Sequence, residues 1–152
     1  MKRTNKENID YLMVDEPFGI LTRPALELYM SNWKRKSKIY IVDFNGIHKL
    51  NNQLGYDAVN NMIRGCIADF NHSVKAISLT WGRVFSGDEI AILDTYYYPN
   101  LMKDFSEVCQ KQNLGFKWME GEIQLGKRPA EYIKELNDLS QKLKNSQYAR
   151  ML

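Results

Sequence analysis

The stretch "GRVFSGDEIAIL", residues 82–93, decides the reading of this chain. Two apolar arms flank a short polar centre, the pattern of a β-hairpin. The tip carries two adjacent carboxylates, Asp88 and Glu89. Upstream, "KIYIVDF" at 38–44 is a short β-branched run that ends in a third acid, Asp43, and reads as a buried strand. If that strand is central and the hairpin pairs beside it, Asp43 and Asp88 converge at one edge of the sheet. Two close carboxylates stay ionised when a cation sits between them. Oxygen-only ligation selects Mg²⁺ or Mn²⁺, and Mg²⁺ takes one or two carboxylates plus substrate phosphates. A metal-bound triphosphate follows. Gly87 lets the backbone come close to a phosphate. The plainer alternative is a polar turn with a solvated acid nearby, since Ser, Gly and Asp are common in turns.

Around this centre the elements alternate. "RPALELYMSNW" places Leu26, Tyr29, Met30 and Trp33 at helical spacing, and the basic run "KRKSK" at 34–38 reads as a solvated loop. "GIHKLNNQLG" reads as a short helix and turn. "YDAVNNMIRGCIADF" reads as an amphipathic helix with Ala58, Met62, Ile63, Cys66, Ile67 and Phe70 on one face. "VKAISLTWGRVF" and "EIAILDT" form the hairpin arms. "NLMKDFSEVCQKQ" is a helix with Leu101, Phe105 and Val108 inward, and "FKWMEGEI" a strand. "RPAEYIKELNDLSQKLKN" is a last helix, with Ile133, Leu136, Leu139 and Leu143 as its apolar stripe. Trp81 and the aromatic run "YYYP" at 96–99 read as core or partly exposed. The order α, β, α, α, β, β, α, β, α describes an α+β fold, one four-stranded sheet with helices packed on it.

The totals set bounds on partners. The chain has 152 residues, enough for one domain with its own core. Its net charge of +3 is too small to argue for duplex nucleic acid and suits an anionic small ligand. Cys66 and Cys109 sit in apolar contexts and read as reduced core residues. The N-terminus lacks a signal-peptide core, and no apolar run approaches the ~18 residues of a membrane span. A cytoplasmic protein without a membrane partner is expected.

The same residues resemble the GGDEF family, the diguanylate cyclases. "FSGDEIAIL" is similar to the family's R-Y-G-G-D-E-F-A-I-L, with Ser86 for the first Gly and Ile90 for the Phe. "DEPFGILTRPAL", 15–26, fits D-x-L-T-G-L-x-N-R-x-x-L without a gap and retains Asp15, Gly19, Arg23 and Leu26. "DFNGIHKLNNQLGYDAVN", 43–60, fits D-I-D-x-F-K-x-I-N-D-x-x-G-H-x-x-G-D and retains Asp43, Asn51 and Gly55. The last helix keeps the family's apolar rhythm and Lys144. The resemblance covers about 15–148, with residues 1–14 as an N-terminal extension and 15–152 as the domain.

The resemblance implies a palm-like nucleotidyl-cyclase sheet with the signature on a hairpin. By it, Asp43, Asp88 and the backbone carbonyl of Phe44 would hold Mg²⁺ or Mn²⁺. Glu89 would help deprotonate the attacking 3′-hydroxyl. Ser86 and Gly87 would lie along the nucleotide, Asn51 would meet the guanine edge, and Lys144 would reach the terminal phosphates. GTP, one per protomer, would be closed to a cyclic dinucleotide across a homodimer, at least a transient one.

The departures from the pattern are specific. Asn60 stands where the family has a second guanine-reading Asp. An Asn offers one acceptor and one donor group, so ATP or a mixed product comes into reach. His48 replaces a phosphate-contacting Lys, beside Lys49. Ser86 adds a side chain where the backbone usually approaches phosphate. The R-x-x-D inhibition site ahead of the signature is missing, and Tyr148 stands in place of a phosphate-binding Arg. Without a fused sensor, the domain is expected to be constitutive, controlled by a regulatory protein partner, or inactive. The readings that follow are a cyclic-dinucleotide synthase, a degenerate module that binds GTP, a dinucleotide or a protein, and a stand-alone antiphage-type cyclic oligonucleotide synthase.

Overall fold

The computed structural model of the chain describes residues 14–15, 17–74, 79–84 and 89–151, with the backbone alone at 15 and 147–151. The expected hairpin arms are β4 (Thr80–Arg83) and β5 (Glu89–Asp94), which pair antiparallel from Thr80↔Leu93 to Arg83↔Ile90. Val84 N–H donates to the Glu89 carbonyl at 3.4 Å and closes the pair around 85–88. Ser86, Gly87 and Asp88 lie outside the described residues. All six residues of β5 are buried, which makes it a central strand.

Beside β5 runs β3 (Lys36–Phe44), and outside β3 runs β6 (Phe116–Gln124), both antiparallel. Two short strands, β1 (Val14–Asp15) and β2 (Ile20–Leu21), extend the other edge, giving the order β1-β2-β4-β5-β3-β6. Among the described residues the sheet therefore has six strands rather than the expected four. Two-residue strands carry no periodicity to read. The β2–β4 pairing is parallel, so the sheet is mixed.

Strand alternation sends side chains to two helical layers. Tyr40, Val42, Phe44, Ile90 and Ile92 face α2 (Ile47–Leu54), α3 (Tyr56–Ser73) and α4 (Leu101–Gln110). Phe105 of α4 centres this core, 5.2 Å from the Trp81 and Phe116 rings and 5.3 Å from Phe70. Ile39, Ile41, Ala91 and Leu93 face α1 (Arg23–Asn32) and α5 (Pro129–Met151). Thr22 caps α1 by accepting from Ala25 N–H. Gly82 permits α1 to sit on β4, because a Cβ there would meet Leu26 Cδ2 at 2.8 Å.

Several details differ from expectation. Residues 36–38 of the basic run form the start of β3, with Ser37 buried, rather than a loop. Sheet pairing with Glu122 and Gln124 recruits them despite their charge. The buried face of α3 is Val59, Ile63, Cys66, Ile67 and Phe70, with Ala58 exposed and Met62 at the margin. Met102 and Cys109 join Leu101 and Phe105 inside α4, while Val108 only borders the core. In α5 the buried residues include Tyr132 and Ser140, and Leu139 is peripheral. Tyr132 is drawn in because its hydroxyl meets backbone: it donates to the Met30 carbonyl and accepts from Lys127 N–H. Trp81 is core, and its indole N–H donates to Asn71 Oδ1 at 2.9 Å. Cys66 and Cys109 are free and buried. The hydrogen bond to Cys66, together with burial, pushes the Cys109 thiol well above the ordinary range.

Candidate functional site

Register places the first acids together. Asp43 of β3 stands directly opposite Glu89 of β5, and Lys117 of β6 stands opposite Asp43 on the other side. Directly opposed residues hold their Cβ atoms about 5 Å apart. By alternation all three point toward the α1/α5 layer, the side of Ile39 and Ala91. Like charges in direct opposition destabilise a sheet unless something compensates them.

The compensation for Glu89 comes from α5. Glu89 is 6% exposed. Ser140 Oγ donates to one oxygen, and Lys144 Nζ lies 3.8 Å from the other. Ser140 and Lys144 are one turn apart on α5, so both reach the same carboxylate. Of the residues expected at the site, Asp43, Glu89 and Lys144 are thus brought to one end of the sheet, where the chain leaves for 85–88.

The residues expected at the base and His48, expected near phosphate, lie on the other layer. His48 is exposed on α2, its Nε2 3.5 Å from the Asn52 amide. Asn51, also on α2, buries its Oδ1 with no hydrogen-bond partner among the described residues. A buried acceptor left unsatisfied is costly and asks for a ligand or water. Asn60 on α3 lines a cavity of about 460 Å³ with Pro17, Asp57, Asn61 and Arg64. No hydrogen bond or ion pair among the described residues joins His48, Asn51 or Asn60 to Glu89. Phe44 is buried beside Phe105 and Phe116, which leaves its backbone as the group available to chemistry.

Asp43 and the Phe44 carbonyl are oxygen donors, the kind Mg²⁺ prefers, and Asp88 lies outside the described residues. Among the described residues no group of three or more His, Cys, Asp or Glu could hold a metal. Sequence reasoning missed Ser140 and Lys117. Ser140 had one legible signal, a hydroxyl in the register of the α5 apolar stripe; Lys117 had none, because cross-strand opposition is invisible along the chain.

No family model matches the sequence, and no curated protein does either. Solved structures do match in fold. The GGDEF domain of DgcB from Caulobacter crescentus, in complex with c-di-GMP, superposes with a TM-score of 0.61 over 98% of this chain and 89% of that one, at 13% identity. The FimX GGDEF domain from Pseudomonas aeruginosa gives 0.59 over 86% and 94%, at 12% identity. The S helix-GGDEF-EAL segment of Vibrio cholerae LapD gives 0.69 over 89% of this chain and 35% of that one, at 14% identity. This chain therefore has the GGDEF-domain fold, an α+β sheet flanked by helices. No helix among the described residues is long and apolar enough to cross a membrane.

Proposed function

We propose that this chain is a divalent-metal-dependent nucleotidyltransferase that joins two nucleoside triphosphates into a cyclic dinucleotide across a homodimer, with each 3′-hydroxyl attacking the other's α-phosphorus and two pyrophosphates leaving. The observation that carries the reading is the direct opposition of Asp43 and Glu89 at the sheet end from which the signature tip departs. The similar DgcB domain is described in complex with c-di-GMP, which supports a dinucleotide as the product class.

In this reading Asp43, the Phe44 carbonyl and Asp88 hold Mg²⁺ or Mn²⁺. When bound, the ion supplies neutralisation of phosphate charge and lowers the cost of an alkoxide. Phosphoryl transfer otherwise asks for positioning rather than covalent chemistry. Lys144 is 58% exposed and free to swing from Glu89 to a terminal phosphate. Glu89 exchanges its Ser140 contact for the attacking hydroxyl. Ser86 and Gly87 lie along the nucleotide, His48 near phosphate, and Asn51 and Asn60 at the base.

A second reading rests on a specific observation. Both oxygens of Glu89 are already engaged by α5. A carboxylate that docks a helix through both oxygens is not free to meet an attacking hydroxyl, which favours a module that binds GTP, a dinucleotide or a regulatory protein without turnover. Similar structures include diguanylate cyclase SiaD from Pseudomonas aeruginosa with its activator SiaC, so protein partnership is chemically open to this fold.

The test is incubation with Mg²⁺ or Mn²⁺ and GTP, ATP or both, read by mass spectrometry. A cyclic dinucleotide that disappears in Asp43→Ala supports the enzyme. Metal-dependent thermal stabilisation by a triphosphate without product supports the binding module. Neither product nor stabilisation overturns both.

A further inference from the structure

Asp57, Asn60, Asn61 and Arg64 stand at i, i+3, i+4 and i+7 on α3, so they form one stripe along the helix. With Pro17 the stripe lines the cavity of about 460 Å³, a volume within the range of ligand pockets. The core face of α3 is built from Val59, Ile63, Cys66, Ile67 and Phe70. Packing therefore leaves the stripe outside: Asp57, Asn61 and Arg64 are exposed and Asn60 is half-buried. Gly19 follows Pro17 closely in the chain, and a Cβ there would stand 3.7 Å from Arg64 Nε. The Arg64 side chain is thus seated against the Pro17 side of the helix.

The two charges narrow the occupant. Asp57 and Arg64 are seven residues apart, about 10.5 Å along the helix. Neither has an ion pair or a side-chain hydrogen bond among the described residues. A phosphate in this cavity would meet the Asp57 carboxylate as well as the guanidinium. An apolar ligand would leave both charges unmet. The lining suits a flat polar edge with donors at one end and an acceptor at the other. Guanine has that order: its 2-amino group and N1–H donate, and O6 accepts. Adenine carries an amino group where guanine carries O6, which would set donor against donor at Arg64.

An independent signal stands where α2 turns into α3. The Asn51 carbonyl accepts from Gly55 N–H at 2.8 Å, directly before α3. Its side-chain Oδ1 is buried with no partner among the described residues, an acceptor that asks for a donor. On the triphosphate reading of the site, we propose that the α3 stripe selects guanine. Asp57 accepts from N1–H and the 2-amino group, and Arg64 donates to O6, with Asn60 between them. The carboxylate that Asn60 lacks is supplied one turn earlier on the same helix face.

The test is isothermal titration calorimetry of the full chain in Mg²⁺ with the 3′-deoxy triphosphates of guanine, hypoxanthine and adenine. These lack the attacking hydroxyl, so binding is read without turnover. The guanine nucleotide is expected to bind at least about tenfold tighter than the adenine one. Hypoxanthine falls between them, because it keeps O6 and N1–H and lacks the amino group. Arg64→Met is expected to weaken the guanine and hypoxanthine nucleotides about tenfold and to leave adenine unchanged. Asp57→Asn is expected to remove the preference for guanine over hypoxanthine. Equal binding of guanine and adenine, an unchanged preference in both variants, or an equal loss for all three nucleotides in Arg64→Met would each overturn the proposal. In those cases binding that Asp43→Ala abolishes would keep the triphosphate reading. No binding of any of the three nucleotides would overturn both.

Discussion

Replacing Ser140 with alanine isolates what a buried hydroxyl does for Glu89. A hydrogen bond to an ionised group contributes about 1.5–3 kcal/mol net, and more is lost when the acceptor stays buried. Glu89 is 6% exposed, so water replaces little of the missing donor. Lys144 remains at 3.8 Å, yet it is 58% exposed, and a solvated partner of this kind contributes under about 1 kcal/mol. Ser140→Ala is therefore expected to cost about 2 kcal/mol, and Lys144→Met less than half of that. For a chain of this size the serine change lowers the melting temperature by about 5 °C. Equilibrium urea unfolding reads the loss directly. The Glu89→Gln background removes the charge and keeps an acceptor. Since charge-assisted bonds are roughly twice as strong as neutral ones, Ser140→Ala in that background is expected to cost about half as much. Equal losses in both backgrounds, or a loss below about 0.5 kcal/mol, would refute the role assigned to Ser140.

Other changes test the fold and the base cavity. Gly82→Ala places a Cβ 2.8 Å from Leu26 Cδ2 and 2.9 Å from Leu26 Cβ, and Leu26 is fully buried. Overpacking of this kind costs about 1–3 kcal/mol, read as a lower urea midpoint; an unchanged midpoint would contradict the close seating of α1 on β4. The buried Cys66–Cys109 pair is expected to resist a chromogenic disulfide reagent at pH 8 until the chain unfolds, because both thiols are fully buried and the reagent cannot reach them. Rapid reaction of the native chain would contradict that burial. Asn60→Asp is expected to sharpen thermal stabilisation by GTP over ATP, since an aspartate accepts from both guanine donors. An unchanged preference would remove Asn60 from the base edge.

The element types were largely local, and so legible. Short apolar and β-branched runs marked four of the strands, and helical stripes marked five helices. The caps at Thr22 and the turn before Tyr56 mark boundaries that depend only on neighbouring residues. The hairpin was legible because its arms adjoin in sequence. Exact helix faces were less so: Val59 displaced Ala58 and Tyr132 displaced Ile133, because which of two adjacent apolar residues is buried depends on the surface that receives the helix.

By itself, the sequence determined that three acids, an α+β pattern and a GGDEF-like order of motifs belong together. Only the tertiary structure decided which of those residues share a face. Asp43 meets Glu89 through the register of two strands far apart in the chain. Ser140 reaches Glu89 across 51 residues because α5 packs on that side of the sheet. Residues 36–38 of the basic run became strand because β3 pairs along its length with β5 and β6. Local propensity acts between neighbours along the chain, whereas these contacts exist only once distant segments have buried their apolar faces against each other.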